Sequence, residues 1–285
     1  MALAVSAVST SGPLIAATAA PALAIAFWRN AMASGVLVPW STVRARAEFR
    51  ALSTGERRLA LLGGVFLAAH FATWVPSVTL TSVSSATALV ATQPIWAALI
   101  ATRRGQAVSR RAWTGIGVAV VGAALVTGVD VSVSVRALSG DLLAVAGAIL
   151  AAAYVTVGGE VRRTVSTTAY TTICYATAAL ALLAVCLIGR QHLGGYSANA
   201  WVKIALLTAG AQLLGHSVFN RVLRTTSATV VSLAILFEVP GATAVAAVWL
   251  HQYPHVPAIP GLLLLLVGLG LVIGTRPTAP AMPAE

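Results

Sequence analysis

Charge is scarce in this chain. Only 9% of its 285 residues are charged, against 58% hydrophobic, whereas soluble domains carry about 25% charged residues. A water-soluble core cannot absorb that much apolar surface, so the composition excludes a soluble domain and demands a bilayer. Acids are scarcer still, seven in all, and Glu238 is the one in the middle of an apolar run. Intramembrane catalysis needs a pair of acids, a serine with a base, or a histidine cluster for a metal. No such set is present, and no Gly-x-Ser-x-Gly occurs. His251 and His255 have the spacing of a metal pair, but Pro254 opposes the helix that would align them. No metal site, no cofactor and no enzymatic activity are therefore expected. A phosphate-binding loop is missing as well, so ATP-driven pumping would need a separate subunit. The two cysteines, Cys174 and Cys186, share one apolar segment and are too far apart along a helix to bond within it. No basic stretch precedes the apolar N-terminus, so a cleavable signal is not expected.

What remains is apolar sequence in lengths that suit a bilayer. A span takes roughly 20 mainly apolar residues, and ten such runs can be cut, at 2–19, 21–40, 58–78, 84–101, 111–128, 141–160, 168–189, 202–222, 228–249 and 257–274. Basic residues gather in alternate gaps. One side collects Arg44, Arg46, Arg50, Arg57, Arg58, Arg103, Arg104, Arg110, Arg111, Arg162, Arg163, Arg221, Arg224 and Arg276. The other holds Arg136, Arg190 and Lys203. By the positive-inside bias both termini are cytoplasmic. The formal charge of +11 thus reports membrane orientation and contact with anionic lipid heads, not nucleic acid.

Displacing the chain by 146 residues lays Gly64 on Gly210, His70 on His216, Pro94 on Pro240, Gly115 on Gly261, Gly122 on Gly268 and Gly128 on Gly274. This is the mark of an internal repeat. Each half holds five spans, an odd number, so the second half must be inverted. The expected fold class is all-α integral membrane, ten transmembrane helices as two inverted five-helix repeats. The first repeat is expected over 1–128, a connecting loop over 129–140, the second repeat over 141–275 and a cytoplasmic tail over 276–285. In that register the first span is short at its cytoplasmic end, as a misplaced start or a trimmed half would make it. Inverted repeats are characteristic of secondary transporters, which bind substrate near the midplane.

Several polar residues then stand where they are expensive. Arg29 lies eight residues into its span. Its fork of donors suits a substrate carboxylate or phosphate, or it pairs structurally with backbone carbonyls or Glu238. His70 and Trp74 share a helix face, either to relay protons and line a pocket or simply to pack. His216 and Asn220 repeat that spacing in the second half as weaker lining candidates. Gln93 precedes Pro94 much as Glu238 precedes Pro240. Each proline is expected to break its helix and free a carbonyl, of Val90 and of Leu236, towards a central cavity. The six repeat-related glycines 115, 122, 128, 261, 268 and 274 are expected to pack helices, within the bundle or between subunits.

The stretches "AIAFWRN", "TSVSSATALVATQPIWAALI" and "TTSATVVSLAILFEVPGATAVAAVWL", in this order and spacing, resemble the EamA-like group of the drug/metabolite transporter superfamily. The resemblance covers nearly the whole chain. It implies a multi-pass plasma-membrane protein that exports or exchanges small metabolites by alternating access. A multidrug/proton antiporter, an intramembrane enzyme and a non-transporting membrane subunit are the other readings. Partners would be a small-molecule substrate, the lipid bilayer and, as an open case, a second copy in a homodimer. Members often carry a Gly-Glu pair after the fourth and ninth spans and a glutamate directly before the proline. This chain reads "RRGQ" at 103–106 and "LHQY" at 250–253, and Val239 separates Glu238 from Pro240.

The orientation is open to direct test. Single cysteines introduced by Thr42→Cys and Ser197→Cys are expected to label with a membrane-impermeant maleimide from opposite faces. Labelling from the same face overturns the topology.

Overall fold

A computed structural model describes residues 2–215 and 236–274. Among the described residues every regular element is helical, as a bilayer requires of a chain that must satisfy its backbone hydrogen bonds within each segment. In chain order these are α1 Ala2–Ser9, α2 Ser11–Ala16, α3 Ala22–Arg44, α4 Arg46–Ala51, α5 Thr54–Leu80, α6 Val83–Val90 and α7 Gln93–Arg103. Then come α8 Arg110–Val133, α9 Val135–Val161, α10 Thr167–Ile188 and α11 Ala198–Leu207, which runs on as a π-helical stretch, Thr208–Gly215. Beyond residue 235 are α12 Glu238–Leu250 and α13 Ile259–Ile273, the latter entered through a 3₁₀ turn, Val256–Ala258. Among the described residues seven runs are long and apolar enough to cross a membrane, α6 and α7 forming one of them; the apolar helices Ala2–Ala16 and Glu238–Leu250 are shorter.

Serine sets many of the boundaries. Ser53, Ser82, Ser109, Ser134, Ser166 and Ser197 each stand at an N-cap and accept a hydrogen bond from the amide three residues on. A short side-chain oxygen satisfies one of the first-turn amides that the helix leaves open. At Ser53 the cap is reciprocal, because the Glu56 carboxylate accepts from the Ser53 amide at 2.8 Å.

Two features differ from the sequence-based expectation. The stretch 129–140, expected as a loop between the halves, is helical except at Ser134, where an extended residue (φ −165°, ψ 148°) turns α8 into α9. The Ser134 cap allows so short a joint, since it starts a helix at once. The fourth expected span is two helices. Its break falls at Ala91–Thr92, and Pro94 lies in the first turn of α7, where a missing amide costs nothing.

The halves meet along α8 and α13. A Cβ at Gly115 would lie 2.6 Å from the Gly268 carbonyl oxygen, and one at Gly268 would lie 2.6 Å from the Gly115 carbonyl. One at Gly122 would lie 2.7 Å from the Gly261 carbonyl, and the reverse approach is 2.9 Å. Only glycine permits this backbone contact. Displacement by 146 residues turns Gly115 into Gly261 and Gly268 into Gly122, so the first contact maps onto the second. That exchange is what a pseudo-two-fold axis through the crossing requires. Gly115, Gly122, Gly261 and Gly268 therefore pack within the bundle, whereas Gly128 has no neighbour within 4 Å of a Cβ and Gly274 meets only its own helix and Arg111.

Gaps assigned to one side by their arginines also touch one another. Arg104 pairs with Glu160 at 3.4 Å, Thr164 donates to Glu56 at 2.5 Å, and the Ser166 amide and hydroxyl both donate to Glu48. At the opposite end Lys203 donates to the Ala17 carbonyl at 2.8 Å, and Arg136 donates to the Thr79 carbonyl at 3.4 Å.

Overpacking the glycine seam is expected to cost about 1–3 kcal/mol, since backbone cannot yield as a side chain can. Gly122→Leu should therefore lower the thermal midpoint of the purified protein by several degrees. Gly128→Ala, with nothing within 4 Å of its Cβ, should not. Static light scattering over a temperature ramp reads both.

Candidate functional site

Helix α3 carries Arg29 into the bundle, where its side chain is 2% exposed. Its Nε donates to Gln212 Oε1 at 2.7 Å; Gln212 Nε2 donates to Asn30 Oδ1 at 3.1 Å; and Asn30 Nδ2 donates to the Ala26 carbonyl at 2.8 Å. The guanidinium plane sits over Phe71, 4.2 Å from the ring centroid. Cation–π attraction is worth about 2 kcal/mol or more once both groups are desolvated. Nη1 is buried without a hydrogen-bond partner among the described residues. Tyr175 of α10 and Glu238 of α12 lie within electrostatic reach. The carboxylate of Glu238 does not close to ion-pair distance, since the one ion pair among the described residues is Arg104–Glu160. The structural partner of Arg29 is thus an amide and an aromatic face, and one edge of the fork is left open.

Gln212 reaches Arg29 from the π-helical stretch Thr208–Gly215. The wider winding of a π-turn re-aims side chains and is found most often at functional sites. The amide that orders Asn30 thereby also orders the guanidinium.

His70 and Trp74 stack as their spacing suggests, 5.9 Å between centroids and 8° between planes. His70 Nδ1 lies 2.9 Å from the Gly147 carbonyl. A carbonyl only accepts, so the neutral ring carries its proton on Nδ1 and leaves the Nε2 lone pair free. Gly147 makes this possible, because a Cβ there would lie 3.2 Å from Trp74 Cβ. Trp74 is 5% exposed, and its indole Nε1 is buried without a partner. The Arg29 charge acts on His70 as well. Arg29, His70, Trp74 and Glu238 therefore belong to one neighbourhood.

Glu238 stands at the first residue of α12 with Pro240 in the same turn. A carboxylate followed by a helix breaker is, in three dimensions, a helix start: the acid meets the positive end of the dipole and the proline costs no hydrogen bond. Gln93 and Pro94 likewise open α7, which packs on α9 and α13. The breaks at Ala91 and Phe237 are 146 residues apart, the period of the repeat. His216 and Asn220 lie outside the described residues.

Asn30, Phe71, Tyr175 and Gln212 were not singled out from the sequence. Gln212 carried a readable signal, a lone amide inside the expected span 202–222. Phe71 and Tyr175 carried none, since aromatic residues in apolar helices are ordinary. Two acids were also missed. Asp130 fell just outside one expected span and Asp141 at the first residue of another, yet they are 3% and 1% exposed.

A helical membrane bundle whose halves share a glycine seam, and whose helices break at positions related by the repeat, has the architecture of a membrane transporter. The EamA-like transporter family model matches residues 1–128 and again 138–274, and the chain belongs to that family. The two matches end 146 residues apart. No curated protein matches the chain. A solved structure described as "Crystal structure of protein" shares its fold at 17% identity with a TM-score of 0.63, over 94% of each chain. Family membership makes the chain a multi-pass membrane transporter of small solutes.

Removing the Gln212 amide should strand the Arg29 donor. Leaving one member of a buried charged pairing unsatisfied costs about 3–5 kcal/mol. Gln212→Leu is expected to lower the thermal midpoint strongly, and Arg29→Met in the same background to restore much of it, because no donor is then left unpaired. Thermal melts of the two variants and the wild type check this.

Proposed function

We propose that the chain is a secondary transporter that moves small metabolites, amino-acid-like or other small organic solutes, across the plasma membrane by alternating access, as an exporter or exchanger. Its ten spans form two inverted five-helix repeats, and both termini are cytoplasmic. The observation that carries the substrate site is the open edge of Arg29. A guanidinium that is fully buried, oriented by Gln212 and Phe71, and still has an unpartnered Nη1 is preorganised for an anionic oxygen. Trp74 offers a second unpartnered donor and Tyr175 a phenol. Glu238 faces the same guanidinium from α12, so a substrate carboxylate would sit between an attracting fork and a repelling acid. Protonation of Glu238 relieves that repulsion, and this couples proton exchange to substrate binding. The start of α12, which carries both Glu238 and Pro240, is the element that transmits the change.

Lysine keeps the charge of Arg29 but loses its planar fork. Arg29→Lys is expected to weaken substrate binding by about tenfold or more in proteoliposome counterflow against a panel of amino acids, nucleosides and cationic dyes, with the thermal midpoint little changed. Normal binding by a less stable protein would make Arg29 a packing residue. Glu238→Gln keeps shape and hydrogen bonding but cannot titrate. Its transport rate is expected to lose the pH dependence of the wild type across roughly pH 5.5 to 8.5. An unaltered profile removes Glu238 from the mechanism.

A further inference from the structure

Asp130 and Asp141 meet where the two halves are joined, and the transport site does not use them. Asp130 lies near the end of α8 and Asp141 in the second turn of α9, at 3% and 1% exposure. The Ser134 amide donates to the Asp130 carbonyl at 3.0 Å, and the Ser134 hydroxyl caps α9. This tight hairpin sets both carboxyls against the end of α5. Gly140 lets α9 press close there, since a Cβ at that position would lie 2.8 Å from the Thr81 amide. The Thr81 hydroxyl donates to Asp130 Oδ2 at 3.3 Å. Both oxygens of Asp141 are buried, and neither meets a donor in hydrogen-bonding geometry. Beside them stand the Asp130 carboxyl and the hydroxyls of Thr81 and Thr127, and Asp130 is the charge that acts on Asp141.

The packed elements supply no counter-ion. Helices α6 and α13 carry no charged residue. The charged residues of α5 are Glu56, Arg57 and Arg58, at its far end, and its His70 is bound to Gly147. Arg103 closes the far end of α7. Arg136 is exposed and donates to the Thr79 carbonyl, and the exposed His255 precedes the 3₁₀ turn that packs on α8. Among the described residues no cation pairs with either carboxyl, and burying two like charges side by side is costly. A proton between them removes one charge and bridges the two carboxyls.

We propose that Asp130 and Asp141 form a proton-binding pair that holds one exchangeable proton at the joint of the two halves, and that loss of this proton loosens the α8–α9 hairpin from the end of α5. On release the carboxyl O–H bond breaks, the proton passes to water at that end of the bundle, and the pair goes from one negative charge to two. The repulsion then acts across the Thr81–Gly140 contact.

The test uses full-length protein in liposomes in a Glu238→Gln background, so that the acid near Arg29 is silent. Infrared difference spectra recorded from about pH 5 to 10, a range that spans a strongly raised carboxyl pKa, are expected to show a protonated-carboxyl C=O band that vanishes as pH rises. The band should be missing from Asp141→Asn and should disappear at a lower pH in Asp130→Asn, which removes the repelling charge but leaves the buried acid. Spin labels introduced by Thr79→Cys and Ser139→Cys should separate over the same pH range, and not in Asp141→Asn. A band unaffected by both substitutions, no band that titrates, or a label distance independent of pH overturns the proposal. So does a band abolished at constant pH by sodium and not by choline, which would make the pair a metal-cation site. None of these readouts is transport, so the pair stands or falls separately from the function proposed above.

Discussion

Arg29 is held out of water without a carboxylate in contact, and much of the bundle's interior follows from that constraint. A buried guanidinium is tolerable only where its donors and charge are met. Here Gln212 takes Nε and Phe71 lies under the plane. Gln212 can do so because the chain winds as a π-helix at that point, and Phe71 because α5 crosses α3 with that face inward. His70 and Trp74 share the α5 face, so placing Phe71 under the cation also places an imidazole and an indole beside it. What the constraint leaves unsatisfied, one edge of the fork and one indole N–H, is what the proposed substrate site rests on.

A second constraint is symmetry. The Gly115–Gly268 and Gly122–Gly261 approaches exchange under the repeat, so the two halves meet where glycine brings their backbones together. The helix breaks at Ala91 and Phe237 obey the same repeat. Each turns the middle of an apolar run into a helix N-terminus, where a partial positive charge faces inward. The halves differ in what they place there: Gln93 opens one helix and Glu238 the other. This asymmetry puts the titratable group in the half that faces Arg29.

Much of this was legible in the chain. Scarcity of charge specified a membrane protein, the arginine bias separated gaps that the fold brings together at two ends, and a fixed displacement of 146 residues picked out the glycines that form the seam. Arg29, His70, Trp74 and Glu238 stood out because polar groups in apolar runs are costly. Spans were mislaid where caps decide them. One serine can start a helix immediately, so the stretch 129–140 reads as a loop in hydropathy and is helix on both sides of Ser134.

Sequence by itself therefore determined the medium, the helical class, the repeat and a short set of expensive residues, because hydropathy, periodicity and charge are properties of the chain read in one dimension. Tertiary structure alone decided the partners. Gln212 is 183 residues from Arg29, Asp130 and Asp141 are brought together by a hairpin too tight to read as one, and Glu238 became a helix start instead of an acid within a loosened helix. Each of these depends on which faces pack together, and partner choice in a low-dielectric interior is settled by geometry that no local pattern encodes.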